Sequence, residues 1–192
     1  MKKILVINPG STSTKIAFYH DGEQVWKESI EHDAAEIKKY TVIYDQKEMR
    51  TALVLQALAD HGEKISELSG VVARGGLLPS YTDPESGTVT TVASGAYEVT
   101  PALIEALRDR PVNHHASNLG CVIAYGIAQQ AGVKAYIYDP VTVDELIDLV
   151  RITGLKDVRR VGQAHNLNMR AAAMKVCREK GIDYYGSNIV VA

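Results

Sequence analysis

Apolar and polar positions alternate from the start of the chain. Residues 2–8 and 14–20 read as strands, and Asp21-Gly22 reads as a hairpin turn into a third strand at 23–31. A polar segment follows. The spacing of Met49, Leu53, Leu55 and Leu58 then predicts a helix over 47–61, closed by Gly62. Residues 70–73 read as a short buried strand that runs directly into Arg74-Gly75-Gly76. The stretch 77–97, rich in Pro, Ser, Thr, Gly and Tyr, predicts loops and an irregular β excursion. Thr100-Pro101 suits a helix start, with Thr as N-cap and Pro at the first helical position. A second helix is expected over 117–131, ended by Gly132, and a strand over 134–139 that presents Asp139 at its C-terminal end. Further helices are expected at 142–150 and 165–180, and residues 188–192 read as the start of another buried strand. Antiparallel strands followed by alternating helices and strands make one α/β domain with a mixed sheet.

Composition narrows the function classes. The formal net charge of −2 and the lack of a basic run argue against nucleic acid or a membrane as partner. Asn8-Pro9-Gly10 ends the first apolar run too early for a signal peptide, and no segment approaches the ~20 apolar residues of a membrane-spanning helix. Cys121 and Cys177 stand alone in expected helices, which fits reduced packing cysteines better than a disulfide or metal site. A soluble cytoplasmic protein is expected.

Candidate chemistry gathers where strands should end, as in open α/β sheets. Between the first two strands, Gly10 and the hydroxyl residues Ser11, Thr12, Ser13 and Thr14 can close around an anion. No second Gly precedes Lys15, so this is not a Walker A loop, and no G-x-G-x-x-G is present. A strand after the turn points instead to the hairpin phosphate loop of actin-like ATPase and kinase folds, a plain surface hairpin being the alternative. Arg74, flanked by Gly75 and Gly76, suits a bidentate grip on a carboxylate or phosphate, unless it merely caps its strand. His114-His115-Ala116-Ser117-Asn118 leads into a helix whose amides favour an anion, and no third ligand at suitable spacing supports metal there. Asp139-Pro140 suits a magnesium-linked carboxylate or a helix N-cap. His165 opens the last helix and could face phosphate or be structural. Asp144 and Glu145 are expected in solvent at a helix N-terminus. Tyr136, Tyr138, Tyr184 and Tyr185 read as core and rim packing.

Four blocks in order resemble the acetate/butyrate kinase family of the actin-like kinase superfamily: residues 7–15 (INPGSTSTK), 73–78 (ARGGLL), 115–120 (HASNLG) and 138–146 (YDPVTVDEL). His165-Asn166-Leu167-Asn168 is a weaker fifth. Asn-Pro-Gly in the first block and Arg-Gly-Gly in the second favour the butyrate-type branch. The resemblance implies a ribonuclease H-like (actin-like ATPase) domain with a mixed sheet flanked by helices. It also implies transfer of the γ-phosphoryl group of ATP to a short-chain carboxylate such as butyrate. Asn8, Gly10 and residues 11–14 would lie near the transferring phosphate. Arg74 would bind the carboxylate, beside Gly75, Gly76 and Asn118. His115 and His165 would stabilise equatorial oxygens, and Asp139 would hold magnesium or its water. His165 in the fifth block departs from the family pattern, with Ala164 before it and Asn166 after. Family chains run to nearly twice this length. Residues 1–192 are therefore expected to be the N-terminal acyl-binding domain, ending where a nucleotide-binding second domain would begin and inactive alone. Self-association would belong to the full-length protein. A non-catalytic carboxylate- or phosphate-binding module is the alternative, and a sugar-kinase half is a weaker third.

Overall fold

In the computed structural model, which describes residues 1–82, 84–86 and 89–191, the first three elements are those expected. β1 (Lys3–Pro9), β2 (Ser13–His20) and β3 (Glu23–Glu31) form an antiparallel meander. Alternation along them sends Leu5, Ile7, Ile16 and Phe18 to one buried face. Asp21 and Gly22 both take positive φ, 48° and 94°, the two-residue turn whose twist matches its strands.

Next come α1 (Ala34–Ile37), α2 (Lys47–Asp60), β4 (Gly70–Arg74), β5 (Tyr81–Thr82), β6 (Val89–Thr90) and β7 (Ala96–Glu98). After these the chain forms α3 (Pro101–Asp109), α4 (Leu119–Ala131), β8 (Ala135–Tyr138) and α5 (Asn166–Lys180). The main sheet has the order β3-β2-β1-β4-β8-β7, with β1, β4 and β8 parallel and the other pairings antiparallel. β5 and β6 form a small separate ladder within the expected excursion, of which residues 83, 87 and 88 lie outside the described residues.

One sheet face carries the core. α4 lays Cys121, Ile123, Ala124, Ile127 and Ala128 against it, and α2 adds Val54 and Leu58. Full burial of each large aliphatic contributes about 1.5–3 kcal/mol. The other face is only half-buried, at Ile4, Val6, Val72 and Tyr136. Thr100 caps α3 as expected, its hydroxyl accepting from Leu103 N–H at 3.3 Å. No described helix is long and apolar enough to cross a membrane.

Three expectations need correction. The segment 142–150 forms no α-helix, only a 3₁₀ turn at Asp148–Arg151. Val143 instead makes a parallel bridge to Val92, and Asp144 N–H donates to Val92 O at 2.9 Å. The β-branched run Val141-Thr142-Val143 suits that extended path. Asp144 is buried rather than solvated: Arg151 Nη1 lies 2.8 Å from its Oδ2, and this pairing holds its carboxyl below the usual range. Residues 188–191 form no strand. The edge of β8 away from β4 is taken by β7. Ala192, at the end of that expected strand, lies outside the described residues.

Because β1, β4 and β8 are parallel, their C-terminal ends share one edge of the sheet. The first turn of α4 packs tightly onto it: a Cβ at Gly120 would stand 2.8 Å from Arg74 O and 3.5 Å from Pro9 Cδ.

Candidate functional site at the C-terminal strand ends

Strand register decides which side chains meet. Asn8 pairs with Lys15, the Ile7–Ala73 pair sets Asn8 beside Arg74, and Arg74 pairs with Tyr138. Residues in register share a face, so Lys15, Asn8, Arg74 and Tyr138 form a row across the strand ends. The row lies on the half-buried face, opposite Ile7 and Ala73. Arg74 Nη2 donates to His165 Nδ1 at 2.8 Å, which leaves the neutral ring's N–H on Nε2. A third cation arrives from α5, where Arg170 Nε stands 3.3 Å from Asp139 Oδ2. Two expected residues, Arg74 and His165, are thus brought together although 91 positions apart. Tyr138, expected as packing, belongs to the row.

At the β1–β2 turn, Gly10 N–H donates to Ser13 O at 2.7 Å. Ser11 and Thr12 are exposed, and parity puts Ser13 on the open face with Lys15. Thr14 departs from its expected role. It is fully buried, its Oγ1 lying 2.8 Å from His32 Nε2 and 3.1 Å from Arg50 Nη1, so it props the turn from the core side. Burial lowers the pKa of His32, and the Arg50 charge adds to the effect.

Arg50 was missed by the sequence reading. It is fully buried in α2 and donates to Gly10 O (2.8 Å), Ser11 O (3.2 Å), Ser13 O (3.2 Å) and Gln46 Oε1 (2.8 Å). The signal was present. The buried positions of α2 are Arg50, Val54, Ala57 and Leu58, so the arginine stands at helical spacing on the buried stripe.

The second and third motif blocks serve mainly to hold loops together. A Cβ at Gly75 would meet Pro140 Cα at 2.7 Å, and one at Gly76 would meet Asn118 Oδ1 at 2.5 Å. The glycines expected to admit a ligand therefore admit protein. Asn118, expected to touch substrate, is buried. Its Oδ1 accepts from Leu77 N–H at 2.8 Å and its Nδ2 donates to Asn113 O at 2.9 Å, which ties the loop after β4 to the start of α4. His115 is exposed and stands on a separate cavity of about 310 Å³ with His114, Tyr44 and Arg108. Its Nδ1 accepts from Ser117 N–H at 3.2 Å and lies 2.7 Å from Ser117 Oγ.

Asp139 does not fit a resident magnesium. Its φ of 40° and its buried carboxylate are held by its surroundings: Oδ1 accepts from Ser94 Oγ at 2.7 Å and from Gly95 N–H at 2.9 Å. The remaining oxygen has no hydrogen bond and faces the Arg170 guanidinium. A cation there repels a metal ion, and no group of three His, Cys, Asp or Glu among the described residues could hold one. What the arrangement offers is a row of positive charge and an amide-rich turn, suited to anions.

No protein-family model matches the chain. It is 40% identical over 191 residues to a probable butyrate kinase of Coprothermobacter proteolyticus, an alignment covering 99% of this chain and 51% of that protein. It is 41% identical over 191 residues to butyrate kinase 1 of Clostridium acetobutylicum, covering 100% of this chain and 51% of the relative. The chain thus spans about half the length of the curated relatives it matches. Among solved structures, the acetate kinase of Porphyromonas gingivalis superposes with a TM-score of 0.60 at 20% identity, over 96% of this chain and 50% of that one. The fold is that of these kinases, the ribonuclease H-like arrangement expected from the sequence.

Proposed function

We propose that this chain is the N-terminal, carboxylate-binding half of an ATP-dependent short-chain carboxylate kinase of the butyrate kinase type. The observation that carries the reading is the Lys15–Asn8–Arg74–Tyr138 row, with His165 on Arg74 and the β1–β2 turn at its end. A carboxylate with a pKa below about 5 is already ionised at neutral pH, so the nucleophile needs no general base. The demand is electrostatic: two anions must be held in line while positive charge offsets their repulsion. Arg74 grips the carboxylate, with His165 Nε2–H turned to the developing charge. Asn8, Ser13 and the amides of the turn face the transferring phosphoryl group. Magnesium enters with ATP as part of the substrate. Asp139 serves by fixing Arg170, and His115 reaches the site only if the second half draws its loop inward.

Acyl hydroxamate formation from butyrate, magnesium-ATP and hydroxylamine tests the reading. The chain alone should fall far below the ~1–100 s⁻¹ typical of kinases. Adding, as a separate chain, the half of the relatives that this chain does not match should raise the rate. Kinase-like turnover by the chain alone would overturn the half-enzyme reading. No product in either case would favour a non-catalytic carboxylate-binding module.

A further inference from the structure

Arg50 satisfies its donors entirely with neutral oxygens: Nε and Nη2 on Gln46 Oε1, Nη2 also on Ser11 O, and Nη1 on Gly10 O, Ser13 O and Thr14 Oγ1. Among the described residues no carboxylate pairs with it, although it is fully buried. Burying an unpaired charge is costly, and natural chains keep such a group only where something repays the cost. What the guanidinium touches identifies the return. Every peptide in the described chain is trans, so a carbonyl and the following N–H point in opposite directions. Drawing Gly10 O and Ser11 O inward turns the Ser11 and Thr12 amides outward, to the open side of the turn. Successive amides aimed into one space make an anion nest.

We propose that Arg50 is the positioning residue of the β1–β2 turn: it aims the amides of Ser11 and Thr12 at a bound phosphoryl group, whose charge is the counter-ion its own burial lacks. The proposal deepens the reading of the turn as a phosphate site and rests on it. The guanidinium touches no reacting atom. It acts through the backbone it holds and through a charge set behind it, where the low-dielectric core screens it weakly.

Arg50→Lys and Arg50→Met separate the two effects, since lysine keeps the charge but lacks the fork and methionine keeps neither. Amide hydrogen exchange of the whole 192-residue chain reads the positioning. In Arg50→Lys, exchange at Gly10 and His32, whose amides donate to Ser13 O and Thr12 O and so report whether the turn is held, should rise at least tenfold, with β1, β4 and β8 within about threefold of the parent. A titration with inorganic phosphate, followed by amide shifts, reads the charge. Phosphate should shift Ser11 and Thr12 in the parent, bind several-fold more weakly to Arg50→Lys, and bind at least tenfold more weakly to Arg50→Met. Exchange that is unchanged at the turn, or raised uniformly through the sheet, would overturn the positioning role. Equal phosphate affinity in all three proteins would overturn the charge role. A parent that takes no phosphate would end the phosphate reading of the turn and the charge role with it, and the exchange comparison would still decide whether Arg50 holds the turn. Should Arg50→Met fail to fold, Arg50→Gln, which is neutral but keeps hydrogen-bond donors, takes its place in the phosphate titration.

Discussion

Two glycines in one helix should respond to alanine with opposite sign. Gly120 and Gly126 both lie in α4. At Gly126 a new Cβ meets nothing within 4 Å, so alanine gains helix propensity without a clash. That gain is about 0.5–1 kcal/mol. At Gly120 the same Cβ would stand 2.8 Å from Arg74 O and 3.3 Å from Ala73 Cβ, whereas ordinary contact begins at 3.4 Å. The helix must therefore lift off the strand ends by roughly 0.6 Å, taken as 3.4 minus 2.8. The neighbour is backbone within a central parallel strand, so it cannot swing aside. Overpacking of this kind costs about 1–3 kcal/mol, which exceeds the propensity gain. We expect Gly126→Ala to be more stable than the parent by about 0.5–1 kcal/mol, and Gly120→Ala to be less stable by about 1–2 kcal/mol. Urea unfolding followed by Trp26 fluorescence and by circular dichroism measures both. In thermal melts the pair should differ by about 3–12 °C, at roughly 2–4 °C per kcal/mol for a chain of this size. A Gly120→Ala protein as stable as the parent would refute the account of how α4 seats on the strand ends, as would both variants moving the same way.

Other expectations follow from the site. Arg74→Ala should weaken butyrate binding more than Asp139→Asn, because Arg74 lies in the open row and the Asp139 carboxylate is buried; equal losses in a titration would undo those roles. Stability should fall as pH drops below about 6.5, since His32, facing Thr14 Oγ1, the Arg50 charge and Glu31, has a pKa lowered by burial first. The unfolded state then binds the extra proton, so the contribution is complete above the unfolded pKa and lost as pH falls through the folded one. In His32→Gln the acid limb of a urea-midpoint against pH curve should flatten, and an unchanged limb would count against the linkage. Burial pushes the Cys121 thiol up to about 12, so alkylation at pH 8 should be slow in the native protein and fast in urea. Rapid native labelling of Cys121 would mean that α4 opens.

The first and second strands, the Asp21-Gly22 turn, the capped start of α3 and the long helices were legible because each is written in local spacing. Alternation, turn residues and caps act within a few positions of one another, and so the sequence states them directly. The candidate residues Asn8, Arg74 and Asp139 also stood out in the sequence as polar breaks after apolar runs. What they do was less so. Thr14 carries the same hydroxyl as Ser13, and only strand parity turns one to the core and the other to the open face. Val141-Thr142-Val143 failed as a helix because Val92, 51 residues from Val143, offers it a bridge.

By itself, then, the sequence determined the α/β class, the opening three-stranded meander and the small hydroxyl-rich turn within it, since all three depend on neighbours along the chain. Tertiary structure alone decided that Arg50 carries its charge beneath that turn and that Asp139 faces Arg170. It also decided that Gly75 and Gly76 admit protein rather than ligand. These are contacts between segments tens of residues apart. Their outcome depends on register and on which face a helix presents, and a burial cost is offset only where the partner in space supplies it.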